Sequence, residues 1–99
     1  MKNKKINKKA YKKLRKKCFF CDEDDYSTLQ DHRINPGENG GEYFSSNVLV
    51  CCSNCHNKIH SKRIVIDKKY QRMTSPVYIV HYWYDGLEYW KPEQTFFDN

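Results

Sequence analysis

Cysteine and histidine residues are concentrated between positions 18 and 60 of this 99-residue chain, and their spacing suits metal binding and proton transfer. Four of the five cysteines form two CxxC pairs: Cys18 with Cys21, and Cys52 with Cys55. Two residues between thiols allow one tight turn to present both sulfur atoms to a tetrahedral ion. We therefore predict a structural zinc ion held by these four thiolates.

Two other uses of the cysteines can be weighed against zinc. A redox pair would need one CxxC motif near a βαβ pattern, which this chain lacks. Cys51 could replace Cys52 as a ligand, but neighbouring residues on a strand point to opposite faces, and the CxxC spacing favours Cys52. An odd number of cysteines suits a reducing compartment, so we expect a cytoplasmic protein.

A second group of residues suits a catalytic divalent cation. His56 and His60 are four residues apart, so on a helix they share one face and can bind one ion. Asp31 would add a carboxylate, which leaves positions on the ion open for reaction. His32 is then available as a general base, since an imidazole titrates near pH 6.5. Asp31 and His32 can face one site only if their strand has a bulge or bend.

Other polar residues near this group have several possible roles. The amide of Asn47 could orient His32 or offer its oxygen to the ion. His60 could be an ordinary surface residue at a helix end, and Asp31 could cap a turn. His81 lies in an aromatic run, where we expect a structural role.

The pattern of elements predicts an α+β fold. We expect strands at 29–32 and 48–51, a turn-rich loop at 35–41, and a helix through His60 that is capped by Ser53 or Asn54. A strand at 63–67 precedes a C-terminal hairpin whose Asp85-Gly86 turn requires positive φ at both positions. Its aromatic residues pack across strands, or else stack on DNA. Phe96 and Phe97 would anchor the end of the chain.

The net charge of +6 comes from the N-terminal arm. Met1 to Lys17 holds ten Lys and Arg and no acidic residue, whereas the remaining chain holds eight basic and twelve acidic residues. The arm is either a solvated, partly frayed tail with weak helical spacing, or a segment that binds a phosphate backbone. Further phosphate contacts are predicted at basic residues near the site: Arg33, Lys58, Lys62, Arg63, Lys68 and Lys69.

The stretch DHRINPGENGGEYFSSNVLVCCSNCHNKIH resembles the HNH endonuclease motif, in the zinc-knuckle branch of the ββα-metal (His-Me finger) nucleases. His32, Asn47 and His56 match the H, N and H, and His60 matches a further metal-ligand histidine. HRINPGENGGEY is similar to a run common in small phage HNH proteins. The resemblance covers roughly residues 18–61.

The resemblance implies a metal-dependent DNA endonuclease, of a free-standing phage or homing type. By analogy, His32 deprotonates water, and a Mg²⁺, Mn²⁺, Ni²⁺ or Zn²⁺ ion stabilises the leaving 3′-oxygen, which gives a 5′-phosphate. Asp31 is similar to the Asp-His members, so either Asn47, or His56 with His60, completes the ligands of the ion. A bacterial or phage-infected host cell is the implied setting, with DNA as partner and a monomer or a dimer on it.

We therefore expect one domain: a basic arm (1–17), a zinc knuckle with a ββα-metal core (18–61) and C-terminal strands (62–99). A core this small needs a metal or another staple. No apolar run is long enough for a membrane span, and no signal peptide is expected. The alternative function is a zinc-dependent nucleic-acid-binding module without catalysis, which needs only the basic arm and the four cysteines.

Overall fold

Two α-helices, two 3₁₀ turns and five strands form the part of the chain that the computed structural model describes, residues 6–71 and 77–93. In chain order they are α1 (Lys8–Arg15), a first 3₁₀ turn (Tyr26–Thr28), β1 (Leu29–Arg33), a second 3₁₀ turn (Gly37–Asn39), β2 (Val48–Cys52), α2 (Ser53–His60), β3 (Ile64–Gln71), β4 (Tyr78–Tyr84) and β5 (Leu87–Pro92). The strands make two antiparallel sheets, β1-β2 and β3-β4-β5. The domain is therefore small and α+β, as predicted.

The β1-β2 hairpin leads directly into α2. All five residues of β2 are buried, because this strand runs through the centre of the hydrophobic core. The N-cap of α2 is Cys52, whose Sγ accepts a hydrogen bond from the backbone N–H of Cys55 at 3.4 Å. The prediction of Ser53 or Asn54 as the cap was wrong, since Cys52 is still in extended conformation and its sulfur already accepts the free amide.

The C-terminal hairpin forms as predicted around Asp85 and Gly86, which have φ angles of 49° and 83°. Strand β3 is longer than the predicted 63–67, because a register shift between Ile66 and Lys68 lets pairing with β4 continue to Gln71. The predicted anchor at Phe96 and Phe97 lies outside the described residues.

Aromatic residues pack on both faces of this three-stranded sheet. On the inner face, Tyr82 is 5% exposed, packs edge-on against Phe19 at 5.7 Å between ring centroids and stacks on Tyr89 at 5.2 Å. On the outer face, His81 stacks on Trp90 with centroids 3.9 Å apart. Cross-strand packing, which the sequence predicted, therefore accounts for both pairs.

His81 has the structural role that was expected. Its Nδ1 lies 2.9 Å from Asp67 Oδ2, and its Nε2 lies 2.6 Å from Glu88 Oε2. Two carboxylates that accept from both ring nitrogens favour the imidazolium form, and the hydrogen bond to Asp67 raises the pKa of His81.

The sequence left open whether the N-terminal basic segment is a frayed tail or a phosphate-binding arm. Over its described part, this segment forms an ordered helix. Asn7 caps α1 by accepting from the N–H of Ala10 at 3.1 Å, and Lys16 ends the helix in the left-handed conformation. Tyr11 is 6% exposed and fixes α1 to the core. Its hydroxyl donates to Glu93 Oε2 at 2.6 Å.

A buried polar network joins α1 to the C-terminal sheet. Lys69 Nζ donates to Glu93 Oε1 at 2.6 Å, to Tyr11 Oη at 2.8 Å and to the Ser45 carbonyl at 2.8 Å. Arg15 Nε lies 3.2 Å from Glu93 Oε2. The prediction of Lys69 as a phosphate contact was wrong, because its side chain is fully buried. Lysine is rarely buried, so nothing in the sequence marked it.

Candidate functional site

The four predicted zinc ligands lie together at the junction of α2 with the segment that precedes β1. The sulfur atoms of Cys18, Cys21, Cys52 and Cys55 all lie within 4.8 Å of one another, and the Cys21 and Cys52 sulfurs are 3.6 Å apart. In a tetrahedral site with Zn–S bonds of 2.3 Å, neighbouring sulfurs are about 3.8 Å apart. The group can therefore hold a structural metal ion such as zinc.

Backbone turns position each pair of thiols. In the first pair, the N–H of Phe20 donates to Cys18 Sγ at 3.4 Å, and the turn closes where Asp22 has a positive φ of 63°. In the second pair, burial raises the pKa of Cys52, but hydrogen bonds from the Cys55 N–H and the neighbouring thiols outweigh burial and lower it. In each CxxC pair, the sulfur of the first cysteine thus accepts an amide hydrogen, which stabilises its thiolate form.

Cys51 is excluded from this group. It pairs with Gln30 on β1, whereas Cys52 pairs with Leu29, so the two neighbouring side chains alternate in direction. Burial, followed by the nearby thiols and Asp31, raises the pKa of Cys51 to about 12. It is therefore a neutral core residue at physiological pH.

The three histidines of the predicted catalytic group form a cluster. The ring centroids of His32 and His56 are 5.1 Å apart, and those of His56 and His60 are 4.6 Å apart. Strand β1 supplies His32, and α2 presents the other two on one face through their four-residue spacing. The structure thus brings His32 together with two histidines that lie 24 or more residues further along the chain.

The electrostatics of the cluster favour the neutral form of two of its rings, His32 and His56. Burial, then His56 and His60, lowers the pKa of His32 to about 4. Burial, then His60, also lowers the pKa of His56. A neutral imidazole has a free lone pair, so these rings can accept a proton or bind a cation at pH 7.

Asp31 does not join the histidines through a bulge in β1. Pairing of β1 with β2 runs without a shift, and Asp31 lies opposite Val50 while His32 lies opposite Leu49. Alternation along the strand therefore turns Asp31 and His32 to opposite faces of the hairpin. Within residues 6–71 and 77–93, the four thiols are the one group of three or more ligand atoms close enough to hold an ion.

Asn47 makes contacts that the sequence did not predict. Its Oδ1 accepts from the N–H of Asn35 at 2.7 Å, and its Nδ2 donates to the carbonyls of Asn35 at 3.0 Å and Glu42 at 2.8 Å. Both ends of the amide thereby tie the loop between β1 and β2 to the start of β2.

Two glycines make this loop compact. A Cβ on Gly41 would lie 1.7 Å from the Asn35 carbonyl oxygen, and one on Gly37 would lie 2.6 Å from Arg33 Nη1. Arg33, a predicted DNA contact, is half-buried and lies over the ring of Tyr43 at 4.6 Å. The structure therefore gives Arg33 a part in forming the loop, and its contact with DNA stays a prediction.

Three further predicted DNA contacts lie near the end of α2, whereas Lys68 lies within β3. Lys58 Nζ donates to the hydroxyl of Tyr84 at 2.5 Å. Arg63 makes a two-pronged ion pair with Asp85 at 2.9 Å and 3.0 Å. Lys62 is exposed, with a positive φ of 69°. The hairpin turn thus contacts this basic stretch, a long-range arrangement for which the sequence carried no signal.

Comparisons of this chain with protein-family models, with curated proteins and with solved structures found no match. In the described residues, none of the helices combines the length and apolar character that crossing a membrane requires.

Proposed function

We propose that this protein is a metal-dependent DNA endonuclease of the HNH type, with a zinc-stapled ββα-metal core. The observation that carries the proposal is a histidine cluster in which His56 on α2 contacts both His32 on β1 and His60, within a strand–loop–strand–helix unit beside the four clustered cysteines. A structural zinc site explains the cysteines but gives no role to the three clustered imidazoles.

In this proposal His32 is the general base. The ring is neutral at pH 7, so its lone pair can take a proton from a water molecule that attacks the phosphodiester, and its lowered pKa makes it a weaker base than a free imidazole. Asn47 keeps the loop beside the base in one conformation. A divalent cation, when bound, would stabilise the charge on the phosphate and on the leaving oxygen.

His56 and His60 are the members of the proposed ligand set whose rings are in contact. Asp31 completes the set if β1 bends at His32 when the ion binds, because in the unbent strand the two residues face opposite ways. The substitution Asp31→Asn tests this: a tenfold or greater loss of Mn²⁺ affinity supports ligation, and unchanged affinity removes Asp31 from the set.

Lys58, Lys62 and Arg63 extend the site along the end of α2 and would contact the DNA backbone. The guanidinium of Arg63 is paired with Asp85. Arg63 therefore contributes to DNA binding only where a phosphate of the DNA replaces the Asp85 carboxylate.

Cleavage of supercoiled plasmid tests the function. We expect nicking or linearisation with Mg²⁺, Mn²⁺ or Ni²⁺, none with a chelator of these ions, and none from His32→Ala. Asn39→Ala changes an exposed side chain outside the cluster and is the control. Equal cleavage by wild type and His32→Ala would reject the role of His32.

A non-catalytic zinc-dependent nucleic-acid-binding module is the second candidate. It is favoured by the finding that the described residues gather one group of close metal-ligand atoms, the four thiols. Tight DNA binding without cleavage under any divalent metal would support it.

A further inference from the structure

A cavity of about 150 Å³ lies between the end of α1, the first CxxC turn and the end of β5. Phe19, Val50 and Pro92 form apolar parts of its lining, and Arg15, Lys17 and Lys91 bring three positive charges to it. Liquid water occupies about 30 Å³ per molecule, so the cavity has room for about five water molecules. That is enough room for one phosphate group.

The charge around the cavity remains positive after its acidic residues are counted. Glu93 lines it, but its carboxylate already accepts from Lys69 at 2.6 Å and from Tyr11 at 2.6 Å. The buried Lys69–Glu93 pair is thus balanced, and Asp22 is the one other acid in the lining. The lining therefore holds three cationic side chains, of which Arg15 is also paired with Glu93, and one further carboxylate, that of Asp22.

Contacts within the protein hold two of the three cationic side chains, Lys91 and Arg15, in place. Lys91 Nζ donates to the Phe19 carbonyl at 2.6 Å and lies over the Phe19 ring at 4.7 Å, so its ammonium is held in place. The Arg15 side chain is 14% exposed and is oriented by Glu93. Ordered cations at an apolar wall lose less entropy on binding an anion than extended surface lysines do.

The cavity is separate from the histidine cluster. Val50 lies opposite Asp31 on the β1-β2 hairpin, whereas Leu49 lies opposite His32. Neighbouring residues of β2 point to opposite faces, so the hairpin stands between the Val50 side chain and the histidines.

We propose that this cavity is a phosphate-binding site, with Arg15, Lys17 and Lys91 as its cationic groups. The phosphate can come from a nucleic-acid backbone, as a diester, or from a free mononucleotide or inorganic phosphate. The proposal does not rest on the nuclease proposal, since none of its residues belongs to the histidine cluster.

Amide chemical shifts of the full-length, zinc-loaded protein test the site. Inorganic phosphate, thymidine 5′-monophosphate and an unphosphorylated single-stranded oligonucleotide are titrated separately. We expect at least one to shift the amides of Phe19, Val50 and Lys91 saturably. Binding of the first two identifies a monoester or free phosphate site, and binding of the oligonucleotide alone identifies a backbone site.

Charge-matched variants separate the cavity from general attraction to a basic protein. Removing a charged hydrogen-bond donor weakens binding about tenfold, so we expect Lys17→Gln/Lys91→Gln to weaken binding at least tenfold. Lys13→Gln/Lys16→Gln removes the same charge outside the cavity and should change affinity less than twofold. If Lys91→Gln disturbs the fold, Lys17→Gln against Lys13→Gln makes the same comparison. Equal losses in both variants, or no saturable shift with any probe, would overturn the proposal.

Discussion

Substitution of Asn47 tests whether its side chain acts as a clamp that holds the loop between β1 and β2, or as a ligand of the metal ion. Its side chain makes three hydrogen bonds of 2.7 to 3.0 Å, two to the backbone of Asn35 and one to that of Glu42. A net contribution of about 1 kcal/mol for each bond makes the clamp worth about 3 kcal/mol. Asn47→Ala should therefore lower the free energy of unfolding by about 2 to 3 kcal/mol, since water can replace some bonds at the surface.

The variant Asn47→Asp distinguishes the two roles. Aspartate keeps the oxygen that accepts from Asn35 but loses both N–H donors, and its second oxygen would face the carbonyls of Asn35 and Glu42. A clamp should therefore lose as much stability with Asp as with Ala. A metal ligand should instead keep or gain affinity, because a carboxylate binds a hard divalent ion more strongly than an amide does.

Urea unfolding at saturating zinc, together with Mn²⁺ titration, measures both properties. We expect a lower urea midpoint for Asn47→Asp, no gain in Mn²⁺ affinity, and a midpoint close to wild type for the exposed control Asn39→Ala. Wild-type stability of Asn47→Asp combined with tighter Mn²⁺ binding would refute the clamp.

Three further outcomes follow from the structure. Lys69→Met should destabilise the protein by about 3 kcal/mol, because Glu93 then stays buried with less compensation, and Lys69→Met/Glu93→Leu should recover part of that loss in urea unfolding. The folded-state pKa of His32 is about 4, below its unfolded value, so the stability that its neutral form contributes is present above pH 6.5 and lost as the pH falls towards 4. The stability difference between wild type and His32→Gln should therefore shrink by about 1 kcal/mol from pH 7 to pH 5, a figure reduced for the partial exposure of the ring, and a constant difference would contradict the lowered pKa. Cys52→Ser should lose zinc on dialysis, whereas Cys51→Ser should retain about one zinc per chain, as measured by atomic absorption; equal retention would place the ligand elsewhere.

Features that depend on a few adjacent residues could be predicted from the sequence. Asp85-Gly86 specifies its turn through the positive φ that glycine and aspartate tolerate, and the observed angles confirm it. The CxxC spacing identified four thiols that the structure places within 4.8 Å. The four-residue spacing of His56 and His60 likewise required only a helix.

Features that depend on distant partners could not be predicted. The burial of Lys69 arises from Tyr11 and Glu93, which lie 58 and 24 residues away in the chain. The amide of Asn47 looked suitable for a base or an ion, and only the path of the loop shows that the backbone of Asn35 occupies it. Polar side chains with several possible partners are assigned by tertiary structure, not by residue type.

Analysis of the ends formed on a labelled duplex tests the central claim, that His32 and a divalent metal cleave DNA. We predict that wild-type protein with Mn²⁺ produces 5′-phosphate and 3′-hydroxyl ends, and that neither His32→Ala with Mn²⁺ nor wild type with a chelator produces them. An intact duplex under every metal tested, or the same ends from His32→Ala at the wild-type rate, would contradict the account.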